Sequence, residues 1–414
     1  MVKPGCMPGF FFGKGLKAGS LIKMSSAIMD TYKRLPVAFE SGSGAWLTDT
    51  NGKCYLDALA GIAVCGLGHA HPAVEQALVR QAGKLIHTSN LYQVPLQEQL
   101  ATKLCNLSGL DKVFFCNSGA EANEAAIKIC RRYAHAHGNH SPRIIVMEGG
   151  FHGRTLATLT ATGNKKIKVG FEPLVEGFLQ IPYNNIAALE QACNSHADVV
   201  AVMLEPVQGE GGVVIPEPGY LKQVADICAS RGLLLVLDEV QTGMCRTGKW
   251  FAFQHEGVLP DVMSLSKSLG NGVPIGACLA KDHVAAPMTP GSHGTTFGGN
   301  PLAASAALAV VNFLEQNRMD IRAAELGKRI LDGFRKSLNG QQGIKQIRGY
   351  GLMTGIELEQ NCADLVQVAL EHGLLINVTA DKVIRLLPPL IISDTEADQI
   401  VGMVSTLIKD FLKD

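Results

Sequence analysis

Four apolar, strand-like runs in this chain each end in residues that can do chemistry. KVFFC is followed by Asn117-Ser118-Gly119-Ala120 and RIIVMEGG by Phe151-His152-Gly153-Arg154. LLLVL is followed by Asp238-Glu239-Val240-Gln241, and VMSLS by Lys267. A carboxylate after five apolar residues is costly to desolvate unless a partner compensates it. Asp238 therefore either caps a strand-end loop or faces a buried cation. Lys267 can be that cation. It can also be an amine nucleophile, which needs the depressed pKa that burial provides.

The neighbouring residues fit a larger constellation. Ser118-Gly119-Ala120 opens a helical stretch, and free N–H groups at a helix start bind phosphate when small residues allow close approach. Phe151 can stack on a flat ring or simply pack in the core. Arg154 and Arg385 stand in glycine-rich or apolar contexts, where each serves either a substrate carboxylate or a structural ion pair. In HGTTFGGNP, residues 293–301, the hydroxyls of Thr295 and Thr296 can reach a phosphate or cap the helix after Asn300-Pro301. If Lys267 is a nucleophile, Asp238 is free to hold a protonated ring nitrogen. These are the two groups that pyridoxal phosphate chemistry requires.

What must position these groups is a sheet. From about Pro72 onward helical and strand-like runs alternate. PAVEQALVRQAGKL, PLQEQLATKLCNLS and GAEANEAAIKICRRYAHAH carry helical periodicity. KVFFCNS, RIIVMEGG, DVVAVMLEP and LLLVLDEV are near-continuous apolar runs, as in parallel strands covered on both faces. GYLKQVADICASRG joins the last two by a helix. This βαβ rhythm, over roughly residues 110–290, predicts an α/β fold with a mainly parallel sheet flanked by helices. Ligands bind such sheets at the carboxyl ends of the strands, where all four sets of polar residues lie. Between residues 30 and 70, alternation and Asp-Thr-Asn-Gly turn chemistry predict antiparallel hairpins. After the long apolar helix NPLAASAALAVVNFLEQN the pattern predicts a small α+β domain. The expected division is 24–75 as the first part of that small domain, 76–300 as the large domain and 301–414 as connector helix plus the rest of the small domain. Residues 1–23 are basic, glycine-rich and free of acidic residues. They are expected to be a disordered or non-native extension, with Met24 or Met29 as a natural start.

Composition sets the outer limits. The chain has 414 residues, 47% hydrophobic and 18% charged, with 37 basic against 37 acidic side chains. Zero formal charge gives no electrostatic case for nucleic acid or a membrane surface as partner. No apolar run approaches the ~20 residues of a membrane span. The 11 cysteines include no C-x-x-C pair and suit reduced thiols in the cytoplasm, with no metal site expected. A nucleotide-binding α/β protein would carry G-x-G-x-x-G or a P-loop after a strand, and neither is present.

Together, NSGAEANEAAIK, FHGRT, LEPVQGEGG, LDEVQTG, SLSKSLGNGVPIGA, HGTTFGGNP and RLLPPL resemble the class III (ornithine-type) aminotransferases of pyridoxal phosphate fold type I. The resemblance runs from about Tyr32 to the end, with the motifs in the family's order. It implies a large domain with a small α+β domain, and pyridoxal 5'-phosphate as cofactor. By the resemblance, Lys267 is the Schiff-base lysine and Asp238 the partner of the ring nitrogen. Val240 and Phe151 pack on the two ring faces, and Gln241 bonds the phenolic oxygen. Ser118, Gly119, Ala120 and Glu239 complete the cofactor site. Thr296 reaches the phosphate from a neighbouring subunit, which implies a homodimer with a shared active site. Arg154, Thr295 and Arg385 face the substrate. Arg385 takes the α-carboxylate of glutamate or 2-oxoglutarate, and Glu210 pairs with it when the donor enters by a distal amine. GIAVCGLGHAHP, NLYQVP and LEPVQGEGGV are most similar to the acetylornithine enzymes of arginine biosynthesis, which act on amino acid and 2-oxo acid substrates. Ornithine, succinylornithine, succinyl-diaminopimelate and 4-aminobutyrate enzymes are the alternatives within the family. Cys65 stands where acetylornithine enzymes often carry asparagine, and Gln93-Val94 also departs from the commoner pattern. Both are expected near the distal end of the substrate.

Overall fold

A computed structural model of the chain describes residues 27–413; the expected extension over 1–23 lies outside them. The described residues 27–37 belong to a unit of their own and make short turns such as Thr31 N to Met29 O at 2.9 Å. From Ala38 on, the chain builds three sheets.

The strands are β1 (Phe39–Ser43), β2 (Trp46–Asp49), β3 (Cys54–Asp57), β4 (Lys112–Cys116), β5 (Arg143–Met147), β6 (Phe178–Ile181), β7 (Val199–Leu204) and β8 (Leu234–Asp238). They continue as β9 (Val262–Leu265), β10 (Gly276–Ala280), β11 (Ile344–Tyr350), β12 (Met353–Leu358), β13 (Leu374–Leu375), β14 (Asn377–Thr379) and β15 (Val383–Leu386). The central sheet has the order β4-β10-β9-β8-β7-β5-β6. Its neighbours pair in parallel except at β10, which runs antiparallel to both β4 and β9. The mainly parallel sheet is therefore as the apolar runs predict. The pattern missed β10, because GACLA is mostly small residues and has none of the β-branched or aromatic side chains that mark a strand.

Successive residues of the central strands enter opposite cores. Ile145, Val202, Leu235 and Met263 join one cluster, while Ile144, Ala201, Leu234 and Val262 join the other. This is the two-residue period of strands buried on both faces. All five residues of β8 are buried, so Asp238 can meet polar partners only at the strand's end. One core runs on into the C-terminal helices and strands, through Ala306, Ile356 and Leu386.

Two smaller sheets flank this frame. The first is the antiparallel meander β1-β2-β3, to which β13 adds in parallel through Leu374 opposite Leu56. The second has the order β11-β12-β15-β14, antiparallel throughout. Among the described residues no helix is long and apolar enough to cross a membrane.

Between β3 and the next helix the chain makes a left-handed turn. Ala60, Gly61, Ile62 and Ala63 all have φ between 50° and 65°. L-residues visit this region singly, at a cost of about 1–3 kcal/mol each, so a run needs external support. The Asp57 carboxylate supplies it, accepting from the N–H groups of Leu59 and Ala60 at 2.9 and 2.8 Å. On the far side Ser268 Oγ donates to the Ala63 carbonyl at 2.7 Å. Asn271 takes the N–H of Leu67 and gives its amide to Gly68 O. The turn is thus stitched to the loop that starts at Lys267.

Candidate active site

The carboxyl ends of β4, β5, β7, β8 and β9 converge on one cavity of about 260 Å³. Its walls include Gly119, Ala120, Phe151, Arg154, Glu210, Asp238, Val240, Gln241 and Lys267.

Lys267 follows β9 with φ at +39°, an uncommon conformation for a side-chain-bearing residue. Its two neighbours hold it there. Ser266 Oγ donates to Ile275 O at 2.8 Å, and Ser268 donates to Ala63 O. The Lys267 ammonium lines the cavity with no hydrogen-bond partner among the described residues. Burial pulls its pKa down to about 8, against the opposing pull of Glu210. A near-neutral, unpartnered amine is what a nucleophile and proton carrier needs.

Asp238 is 3% exposed and hydrogen-bonded through both oxygens. Oδ2 accepts from Asn123 Nδ2 at 2.7 Å and from His152 Nδ1 at 2.8 Å. Oδ1 accepts from Val240 N at 3.0 Å, and Ser264 Oγ lies 3.3 Å from it while donating to Asn123 Oδ1 at 2.6 Å. A carboxylate can only accept, so His152 carries its proton on Nδ1. Burial lowers the His152 pKa, but the Asp238 carboxylate outweighs burial and holds it above the ordinary value. These partners fix the Asp238 carboxylate in the cavity wall.

The helix Gly119–Ala136 begins at the cavity. Ser118 caps it, its hydroxyl accepting from Glu121 N at 3.2 Å. Gly119 is there for space: a Cβ would stand 2.8 Å from Val240 Cγ1. Phe151 is fixed by its own N–H, which donates to Glu205 at 2.9 Å, and the Arg154 guanidinium lies 5.8 Å from its ring centre. Glu205 also accepts from Gly209 N at 3.1 Å. Burial, with Asp238 nearby, raises the Glu205 pKa to about 7.

Behind this wall stands Arg385, on β15 and fully buried. Its Nη1 meets Glu210 Oε1 at 2.6 Å and Gln241 Oε1 at 3.5 Å, and its Nε donates to Asn377 at 2.9 Å. Nη2 is buried without a partner. Burial raises the Glu210 pKa, but the arginine prevails and holds it below the ordinary value. Glu210 lines the cavity and Arg385 does not, so the carboxylate screens the arginine.

Several sequence-predicted residues lie elsewhere. Glu239 is turned away from the cavity. Its oxygens accept from Thr242 Oγ1 at 2.5 Å and Phe253 N at 2.9 Å. Ser118 caps the helix rather than lining the cavity. Thr295 bonds Asn117 Nδ2 at 3.1 Å, and Thr296 is exposed. Neither lines this chain's cavity. Of the departures from the family pattern, Val94 is buried just before the helix Pro95–Ser108 and Gln93 is exposed. Cys65 lies near Gly272, beyond Lys267. The sequence reading gave no role to Asn123, His152, Ser264 or Glu205. His152 and Glu205 stand inside FHGRT and LEPVQGEGG, and their burial after apolar runs was the available signal.

These residues fit pyridoxal phosphate. An unpartnered amine, a buried carboxylate, a helix start cleared of side chains and an aromatic face surround one cavity of suitable chemistry.

The fold and site are those of a cofactor-dependent group-transfer enzyme, and comparison with known proteins says which. Residues 27–408 match the family Aminotransferase class-III. The chain belongs to the class III aminotransferases, which depend on pyridoxal phosphate. The acetylornithine aminotransferase of Nitrosomonas europaea is 53% identical over 388 residues, 94% of this chain and 99% of that protein. That of Methanocaldococcus jannaschii is 48% identical over 93% of this chain and 96% of that protein. The crystal structure of ornithine aminotransferase from Toxoplasma gondii matches with a TM-score of 0.90 at 36% identity, covering 94% of this chain and 93% of that one.

Proposed function

We propose that the chain transfers the distal amino group of N2-acetyl-L-ornithine to 2-oxoglutarate. The products are N-acetyl-L-glutamate 5-semialdehyde and L-glutamate, a step of arginine biosynthesis. The observation that carries this is the Glu210–Arg385 pair at 2.6 Å. A donor that reacts through its distal amine must not have its α-carboxylate drawn to Arg385. Glu210 occupies that arginine while the donor is bound, leaving the donor carboxylate to Arg154. When 2-oxoglutarate enters, its α-carboxylate replaces Glu210 on Arg385 and can take the unpartnered Nη2 as well.

The remaining roles follow. Pyridoxal phosphate, when bound, supplies the electron sink and carries the nitrogen between the two substrates. Lys267 anchors it, then takes the proton from the substrate carbon that bears the transferred nitrogen. Asp238 would face the ring nitrogen and hold a proton on it. Phe151 and Val240 would bound the ring's two faces, Gln241 would meet its phenolic oxygen, and Gly119 and Ala120 would offer N–H groups to the phosphate.

A homodimer in the cytoplasm is part of the same reading. Thr296 is exposed, beside a patch in which Leu91, Tyr92 and Phe297 are 85%, 69% and 61% exposed. Asn90 ties that patch to the threonine loop through Thr295 O and Gly298 O. A partner's copy of this loop then supplies Thr296 to the phosphate. All ten described cysteines are free, as suits a reducing compartment.

The test is the visible spectrum of the holoenzyme mixed with N-acetylornithine and no oxo acid. The band of lysine-bound cofactor should disappear and return on adding 2-oxoglutarate. A band that responds instead only to ornithine, succinylornithine or 4-aminobutyrate would replace the proposed donor.

A further inference from the structure

Arg246 is completely buried and has no carboxylate partner among the described residues. Such a guanidinium is costly, and burial pulls its pKa down to about 10. It therefore stays charged at neutral pH. What it meets is backbone. Nη1 donates to Leu352 O at 3.1 Å and to Pro388 O at 2.5 Å. Its own carbonyl accepts from Leu352 N at 2.9 Å. Nε and Nη2 have no partner.

Both ends of this clamp lie in the site's framework. Arg246 closes the tight loop that begins with Asp238 and holds Val240 and Gln241. That loop is locked by Gly243 N to Glu239 O at 2.9 Å and Arg246 N to Gly243 O at 3.4 Å. Pro388 lies three residues after Arg385. The strand holds Arg385 itself, but the chain beyond it runs Leu386-Leu387-Pro388-Pro389. The two prolines have no N–H to offer, so between Leu387 N and Leu390 N this stretch can be anchored only through carbonyls. Leu387 N bonds Ala58 O at 2.8 Å and Leu390 N bonds Gly66 O at 2.7 Å. Arg246 supplies the anchor between them.

We propose that Arg246 is a positioning residue for Arg385. It ties the end of β15 to the Asp238–Gln241 loop, so that the carboxylate-binding guanidinium keeps its place against Gln241 and the cavity. The inference rests on the assignment of Arg385 to the 2-oxoglutarate carboxylate. It predicts an effect confined to one substrate. The donor meets Arg385 already screened by Glu210, whereas 2-oxoglutarate needs the bare guanidinium in register.

The test compares Arg246→Lys, Arg246→Gln and Arg385→Gln with wild-type holoenzyme, measuring kcat and the KM of each substrate. A lysine cannot reproduce the guanidinium's planar set of donors. Losing a charge-assisted bond that sets the position of Arg385 should raise the KM for 2-oxoglutarate about tenfold, with the KM of the donor and kcat within about threefold. Equal changes for both substrates, or an unchanged KM for 2-oxoglutarate in folded protein, overturn the inference. Failure of both Arg246 variants to fold overturns it too, since the arginine is then a stability element. Arg385→Gln separates the two readings. If it leaves 2-oxoglutarate binding intact, the role of Arg385 itself falls. If it impairs binding and Arg246→Lys does not, only the positioning role falls.

Discussion

Lys267 and Glu205 show how one burial effect produces opposite chemical outcomes. Desolvation drives the lysine towards neutrality, to about 8, and drives the glutamate towards its neutral form, to about 7. The first makes a usable amine. Lys267→Ala should therefore lower transamination by about 10²–10⁴-fold or more while leaving the far-UV spectrum and thermal midpoint near wild type. A variant that keeps turnover would remove the lysine from the chemistry. The second has a stability signature. The folded pKa of Glu205 lies above its ordinary 4.5, so its contribution is fully present below pH 4.5 and is lost as pH rises through 7. The full loss is about 3 kcal/mol. In denaturant titrations at pH 4.5 and pH 8, the stability of Glu205→Gln relative to wild type should shift in the variant's favour by up to that amount. A pH-independent difference would mean that Glu205 ionises without penalty. The two residues were not equally visible beforehand. Lys267 is the only charge between an apolar strand and a glycine-rich turn, and Asp238 likewise ends an apolar run. The residues that hold Asp238 are Asn123, His152 and Ser264, brought in by three other elements. No local spacing encodes that meeting, so it became legible only once the strands were side by side.

At the scale of elements, what the sequence made plain was periodicity, and what it hid was local backbone geometry. RIIVM and LLVLD could be read as buried strands because their apolar runs have no polar face. GACLA could not, and neither could the left-handed turn Ala60–Ala63, whose residues suit a helix as well as a strand. That turn exists because Asp57 and Ser268 hold it from either side. The helix start at Ser118-Gly119 lies between these cases, with a readable cap and an unreadable tight contact. Gly119→Ala places a methyl 2.8 Å from Val240 Cγ1, so either the valine or the first helical turn must move. Both border the cofactor's place. The expected result is about tenfold weaker binding of pyridoxal phosphate to the apoenzyme, which corresponds to about 1.4 kcal/mol. Absorbance titration measures it. Unchanged affinity would separate this helix start from the cofactor.

The proposed dimer accounts, at the scale of the whole molecule, for what a single chain leaves unexplained. Thr295 and Thr296 sit outside the cavity of their own chain, and the loop that carries them borders an exposed apolar patch. In a two-fold dimer each active site would combine Lys267 of one subunit with Thr296 of the other. That arrangement makes two defective chains complementary. Lys267→Ala lacks the amine. Thr296→Glu sets a carboxylate against the phosphate, and like charges at that distance weaken binding strongly. Mixed after denaturation and refolding, the two variants should form hybrids in which one site carries both defects and the other carries neither. Random pairing makes half of the dimers hybrids, each with one intact site, so activity should recover to about a quarter of the wild-type level. If Thr296 served its own chain, every hybrid site would carry one defect and mixing would restore nothing. The readout therefore distinguishes a shared site from a private one, which the molecular weight of the dimer alone would not.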